Sequence, residues 1–186
     1  MQQEKTDKQF KQIIAQCRDL FANKLHDYKA AWRTMRPSTV TDQLYIKASR
    51  IRSLQTKGEA QIPEGIQSEF TAIVNYSIIG LIQLDRGAAP TADISNQEAL
   101  ALYDEKAKEA IGLMERKNHD YDEAWRGMRV SSLADLIYMK IFRTKQIEDI
   151  QGHTLVSEGI AANYMDMLNY AVFALIKLTT DTASPS

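Results

Sequence analysis

The sequence predicts an all-α fold, two tandem three-helix repeats packed as a pseudo-twofold helical bundle. Gly and Pro are scarce, 8 and 4 residues in 186, and apolar residues recur three or four apart with no alternating β pattern, the signature of core-facing helices. The segment Lys24–Arg50, KLHDYKAAWRTMRPSTVTDQLYIKASR, returns as Lys117–Arg143, KNHDYDEAWRGMRVSSLADLIYMKIFR, a constant 93 positions later (119 − 26 = 93). Three helices per copy expose apolar faces that one copy cannot cover alone, so the two should pack on each other. The expected organisation is a first repeat at 1–85, a linker at 86–95, a second repeat at 96–180 and a disordered tail at 181–186.

The first helix of each copy carries Phe10, Ile14, Cys17 and Phe21 in one half and Tyr103, Ala107, Ala110 and Met114 in the other, the i, i+4, i+7, i+11 stripe of a core-facing helix. Ser95-Asn-Gln-Glu98 reads as a capping box opening the second version. The second helix is expected to start near Ser38/Thr39 and Ser131/Ser132 and to end near Thr56 and Ile150, with Thr39–Asp42 and Ser132–Asp135 fitting capping boxes. The third is expected from about Pro63 to Leu84 and from about Ser157 to Leu178, Pro63 suiting a first helical turn. The stretch DRGAAPTADIS supplies the linker.

A net charge of −1 and a pI near 6.3 leave no broad electrostatic footprint for duplex nucleic acid or an anionic membrane. Any bound anion must be met locally. The single Cys17 cannot form an internal disulfide and is matched by Ala110 in the second copy, so it reads as a small buried hydrophobe. No run approaches the ~20 apolar residues of a membrane span, and a cytoplasmic protein is expected.

About half of the aligned positions in the repeated segment are identical, and they are mostly polar or amphipathic. Free drift would keep apolar size and lose surface charge, so this pattern marks a site. Its candidate phosphate-binding cations are Lys117, Arg126, Arg129, Lys140 and Arg143, with Arg33, Arg36, Lys47 and Arg50 in the first copy. Arg forks suit phosphate oxygens and Lys supplies a point charge. Candidates to stack on or orient a base are His119, Asp120, Tyr121, Trp125 and Asn169, matched by His26, Asp27, Tyr28, Trp32 and Asn75.

At about 100° per residue, Glu158, Asn169, Asp166, Tyr170 and Asn163 share one side of the last helix, and Asp135, Arg143 and Lys140 share one side of the helix before it. Glu158 with Asp166 is the carboxylate pair for which Mg²⁺ is the candidate cation. Their eight-residue separation, about 12 Å along the axis, argues against one ion held directly by both. The copies differ here: Asn163 and Asp166 correspond to Glu69 and Ala72, after a one-residue insertion that matches Glu64 to Glu158. His153 lies in a loop without a counterpart and reads as solvated. HExxH, paired CxxC, Walker A and GxGxxG motifs are absent, which removes the common zinc, P-loop and dinucleotide routes.

The pattern HDYxxAWRxMR, then SxxDxIxxKxxR, then EGIxxNxxDxxNYxxFALIxL resembles the nucleotide modification associated domain 1 family. The resemblance covers nearly all of both copies and is most specific at His119–Arg143 and Glu158–Tyr170, with the first copy departing at Ala72. It implies an association with nucleotide or base modification and no transferable reaction. A more distant likeness is to the all-α MazG-type nucleotide pyrophosphohydrolases, although their ExxE and ExxD signatures do not stand at the expected places.

Three functions follow as expectations. The leading one is a nucleotide-binding helical protein, its partner a nucleotide or other phosphate-bearing small molecule. The alternatives are a Mg²⁺-dependent MazG-like pyrophosphohydrolase and a non-catalytic scaffold whose polar stripes set helix register. Two chains could also pair as a homodimer of such bundles.

Overall fold

The computed structural model describes residues 2–57, 65–155 and 159–181. The described residues form six α-helices and two short 3₁₀ turns, with no strand. The first repeat has α1 (Gln2–Tyr28), a 3₁₀ turn (Ala31–Thr34), α2 (Pro37–Lys57) and α3 (Gly65–Arg86). The second has α4 (Asn96–Tyr121), a 3₁₀ turn (Ala124–Gly127), α5 (Val130–Asp149) and α6 (Ile160–Asp181). Pro63, Glu64, Ser157, Glu158 and the tail beyond 181 lie outside the described residues.

Each helix packs against its own counterpart, α1 on α4, α2 on α5 and α3 on α6, while α2–α3 and α5–α6 close each repeat. The stripes read from the sequence form the core: Phe10, Ile14, Cys17 and Phe21 are buried on α1, as are Tyr103, Ala107, Ala110 and Met114 on α4. Burial pushes the Cys17 thiol up to about 12, against a lowering hydrogen bond from Thr71, so it is an inert part of this core. Where α3 crosses α6, Gly80 lets the Tyr164 ring approach so closely that a Cβ there would stand 2.7 Å from it.

The pseudo-dyad is explicit between α2 and α5. Asp42 pairs with Lys145 at 2.9 Å and Asp135 with Arg52 at 3.4 Å, and the two pairs are exact images under the 93-residue offset (135 − 42 = 145 − 52 = 93). Arg52 lies over the Tyr138 ring at 4.3 Å and Lys145 over Tyr45 at 4.5 Å. This corrects the capping boxes expected at Thr39–Asp42 and Ser132–Asp135. Arg129 is the N-cap of α5 and makes no side-chain cap bond, and both aspartates reach a cation across the dyad instead. At Ser95 the box is half formed: its hydroxyl accepts from the Glu98 amide at 3.0 Å, while the Glu98 carboxylate pairs with Arg86 at 3.2 Å.

The connection from α3 to α4 is pinned to the first repeat. Arg33 is buried and donates to Asp93 at 2.8 Å, to the Gly87 carbonyl at 2.8 Å and to Gln83, and the Ala89 amide returns a bond to the Arg33 carbonyl at 2.8 Å.

Candidate functional site

The cleft between α5 and α6, with one side chain from α4, collects more of the repeated cations than any other described feature. Lys117, Lys140 and Arg143 line a cavity of about 980 Å³ together with Gln146, His153, Thr154, Asn163, Asp166 and Tyr170. Lys140 and Arg143 stand three apart on one face of α5, and Gln146 continues that row one turn later. Past the end of α5, Gln151 and Gly152 take φ of 55° and 82°, turning the chain so that His153, Thr154 and Leu155 form the cleft's outer wall.

Asp166 is the one carboxylate lining this cavity among the described residues. Its two oxygens are both taken, one by Lys117 at 2.7 Å and the other by Lys140 at 2.8 Å. Burial pushes its carboxyl up, but the two ammonium groups outweigh that and hold it below the usual carboxylate range. The Lys117 side chain remains 48% exposed, against 15% for Lys140. Arg143 is exposed, and no ion pair engages it among the described residues. Three cations against one anion leave a local charge of +2 (3 − 1).

The other predicted residues are placed elsewhere. Arg126 donates to Glu123 at 2.8 Å, Thr6 at 2.6 Å and Gln9 at 2.8 Å, tying the second repeat's loop to α1. Trp125 is buried, with Phe173 stacked on it at 4.3 Å between centroids and 8° between planes. Asn169 faces the Ala110 carbonyl on α4 at 3.5 Å, and Asn75 does the same to the equivalent Cys17 carbonyl on α1 at 3.1 Å. Asn75 also accepts from the Tyr103 hydroxyl at 2.8 Å. The equivalent of Tyr103 is Phe10, and Asn169 Oδ1 is buried with no hydrogen-bond partner.

Arg36 and Arg129 are exposed at the starts of α2 and α5, where their carbonyls accept the first helical amides. Tyr28 and Tyr121 are 70% and 71% exposed. The exposed histidines His26 and His119 meet their neighbours Asp27 and Asp120 at 3.1 and 3.2 Å, with no other hydrogen bond among the described residues. Asp135, expected beside Lys140 and Arg143, lies at the dyad.

In the first repeat the cations corresponding to Lys140 and Arg143 are closed off. Buried Glu69 takes Arg50 and stands 3.7 Å from Lys47, whereas its counterpart in the second repeat is the uncharged Asn163. Sequence reasoning passed over Gln146 and Thr154 and read His153 as merely solvated. The spacing of Gln146 from Arg143 was the available signal for the first; the loop gave none for the others.

No group of three or more His, Cys, Asp or Glu among the described residues is placed to hold a metal ion. Asp166, already bridged by two ammonium groups, is a poor oxygen ligand for a divalent cation, because the ion would have to displace them or sit beside like charge. Its proposed partner Glu158 is outside the described residues.

Fold and site define an all-α tandem-repeat protein with a cationic cleft and no described helix long and apolar enough to cross a membrane. The chain belongs to the nucleotide modification associated domain 1 family, whose model matches it twice, over residues 24–84 and 117–178. No curated protein and no solved structure matches the chain, so the distant likeness to MazG-type enzymes gains no support.

Proposed function

We propose that the second repeat binds a nucleotide, or a closely related phosphate-bearing small molecule, in the α5–α6 cleft. The observation that carries this is the charge balance of one cavity: Lys117, Lys140 and Arg143 against Asp166, the one carboxylate lining it among the described residues. Arg143 supplies a planar fork and the lysines supply mobile point charges, the combination that suits phosphate oxygens. A volume of about 980 Å³ stands at the upper end of small-molecule sites, roughly 300–1,000 Å³. Gln146 and Asn163 offer neutral hydrogen bonds, and Tyr170 and His153 offer flat faces lining the same cavity. The family's name points to the same chemistry.

The test is calorimetric titration of nucleoside mono-, di- and triphosphates into the full chain and into Lys140→Ala/Arg143→Ala. Saturable binding that falls by about tenfold or more in the variant, with the melting temperature nearly unchanged, supports the proposal. Equal affinity in the two proteins rejects it.

A further inference from the structure

The first repeat holds a second, chemically different pocket. It has a volume of about 370 Å³ and its walls include Trp32, Tyr28, Tyr76, Ala72 and Ile79, with Lys24 at its edge. The internal repeat shows what such a space accommodates. The Asn75–Cys17 and Asn169–Ala110 contacts fix the register between α3 and α6 at 94 residues (169 − 75). In that register Ile79 is the counterpart of Phe173 and Ala72 that of Asp166. In the second repeat the Phe173 ring lies flat on Trp125, at 4.3 Å and 8°. In the first repeat Ile79 supplies no ring, and the aromatic contact recorded for Trp32 is a tilted one with Phe21 at 6.0 Å.

The second exchange changes charge. Lys117 is held by Asp166 at 2.7 Å, but the counterpart of Asp166 in the pocket that Lys24 lines is Ala72, and Lys24 is exposed with no ion pair among the described residues. Two substitutions thus remove a ring from the aromatic wall and a counter-ion from the lysine at its rim. We infer that this pocket binds a planar aromatic ring of one or two fused cycles carrying an anionic group, the ring taking the place that Phe173 fills in the other repeat and the anion meeting Lys24. Base-sized rings stack favourably on such aromatic faces, and the largely apolar wall favours a ring over a bare phosphate. This site is separate from the α5–α6 cleft and does not depend on it.

The experiment uses adenosine 5′-monophosphate and naphthalene-1-sulfonate as probes, read by calorimetry and by quenching of tryptophan fluorescence. The parent for these titrations carries Lys140→Ala and Arg143→Ala, so that the cationic cleft does not contribute. Saturable binding of either probe is expected, weakened about tenfold or more by Ile79→Phe, which supplies the chain's own ring. Ala72→Asp should weaken the monophosphate about threefold, by pairing Lys24, and leave adenosine unchanged. Tyr28→Ala alters an exposed wall residue without threatening the fold and should weaken both probes, which keeps the test valid if Ile79→Phe does not fold. Unchanged affinity in Tyr28→Ala and in folded Ile79→Phe overturns the inference, as does the absence of saturable binding of both probes up to about 5 mM. Loss of nucleotide binding on Lys140→Ala/Arg143→Ala with none left over would keep the cleft and reject this pocket, and the reverse pattern would do the opposite.

Discussion

Asp166→Asn removes the one described carboxylate of the cleft while keeping its size and shape. Lys140, with 15% of its side chain exposed, loses a 2.8 Å partner, a charged hydrogen bond worth about 1.5–3 kcal/mol. Lys117, 48% exposed, is resolvated and loses about 0–1 kcal/mol. Relief of the carboxylate's own desolvation offsets part of this, leaving a net cost of about 2 kcal/mol, or roughly 4–8 °C in melting temperature for a chain of this size. Ligand affinity should move the other way. A phosphate dianion about 6 Å from the former carboxylate is relieved of about 332 × 2/(80 × 6), or about 1.4 kcal/mol, of repulsion, close to a tenfold gain in affinity. Scanning calorimetry and titration with inorganic pyrophosphate, both without divalent cation, read the two effects separately. Weaker anion binding in Asp166→Asn would refute the reasoning, because it would mean that the carboxylate helps hold the ligand, as a cation-mediated site requires.

Other consequences follow from residues outside the cleft. Arg33→Ala should destabilise the fold by about 2–3 kcal/mol in denaturant titration, since it strands Gln83, the Gly87 carbonyl and Asp93, and should leave pyrophosphate affinity unchanged. Gly80→Ala should lose about 1–2 kcal/mol by the same measurement: a Cβ 2.7 Å from the Tyr164 ring forces a shift costing about 1–3 kcal/mol, against a helix-propensity gain of up to about 1 kcal/mol. Two perturbed carboxylates, Asp166 and Glu148, give opposite pH signatures. Asp166 is held low, so its contribution to stability is present above the ordinary carboxylate value and is lost as pH falls through the depressed folded value; Asp166→Asn should flatten the acid limb of a stability–pH curve. Glu148 is pushed up by burial, against a lowering hydrogen bond from Thr41. Its contribution is fullest at acid pH and is lost as pH rises through the raised folded value, so Glu148→Gln should stabilise the protein at pH 8 relative to pH 4.

The helices and the packing of the two repeats on each other were legible because a buried stripe must repeat with the helix, and three such stripes cannot be covered within one copy. Phe10 to Phe21 and Tyr103 to Met114 needed no more than spacing. Side-chain destinations were harder. Asp42 and Asp135 fit local caps in sequence, yet each has a cation one helix away across the dyad, and only tertiary structure decides between a local and a remote partner. Arg33 and Arg126 have the same chemistry as Arg143, a fork that suits a phosphate or a carboxylate equally well. What separates them is that Asp93 and Glu123 arrive beside the first two. The helical wheel placed Asn169 with Asp166 and Tyr170, but a stripe wide enough to hold all three also touches two neighbours, and Asn169 falls on the α4 side. The exchange of Phe173 for Ile79 was visible in the aligned copies, although its meaning depends on the ring lying on Trp125.

The central claim is that Lys117, Lys140 and Arg143 bind a phosphate-bearing anion because the α5–α6 cleft leaves them underneutralised. Titration of inorganic pyrophosphate into ¹⁵N-labelled full chain, followed by amide chemical shifts, addresses it most directly. Saturating shifts confined to the α5 segment around Lys140–Ile147, the facing turns of α6 around Asn163–Tyr170 and the end of α4 at Lys117 are the predicted outcome. Shifts centred on Arg36 and Arg129, equal shifts at Lys47 and Arg50, or no saturable shift at all would contradict it.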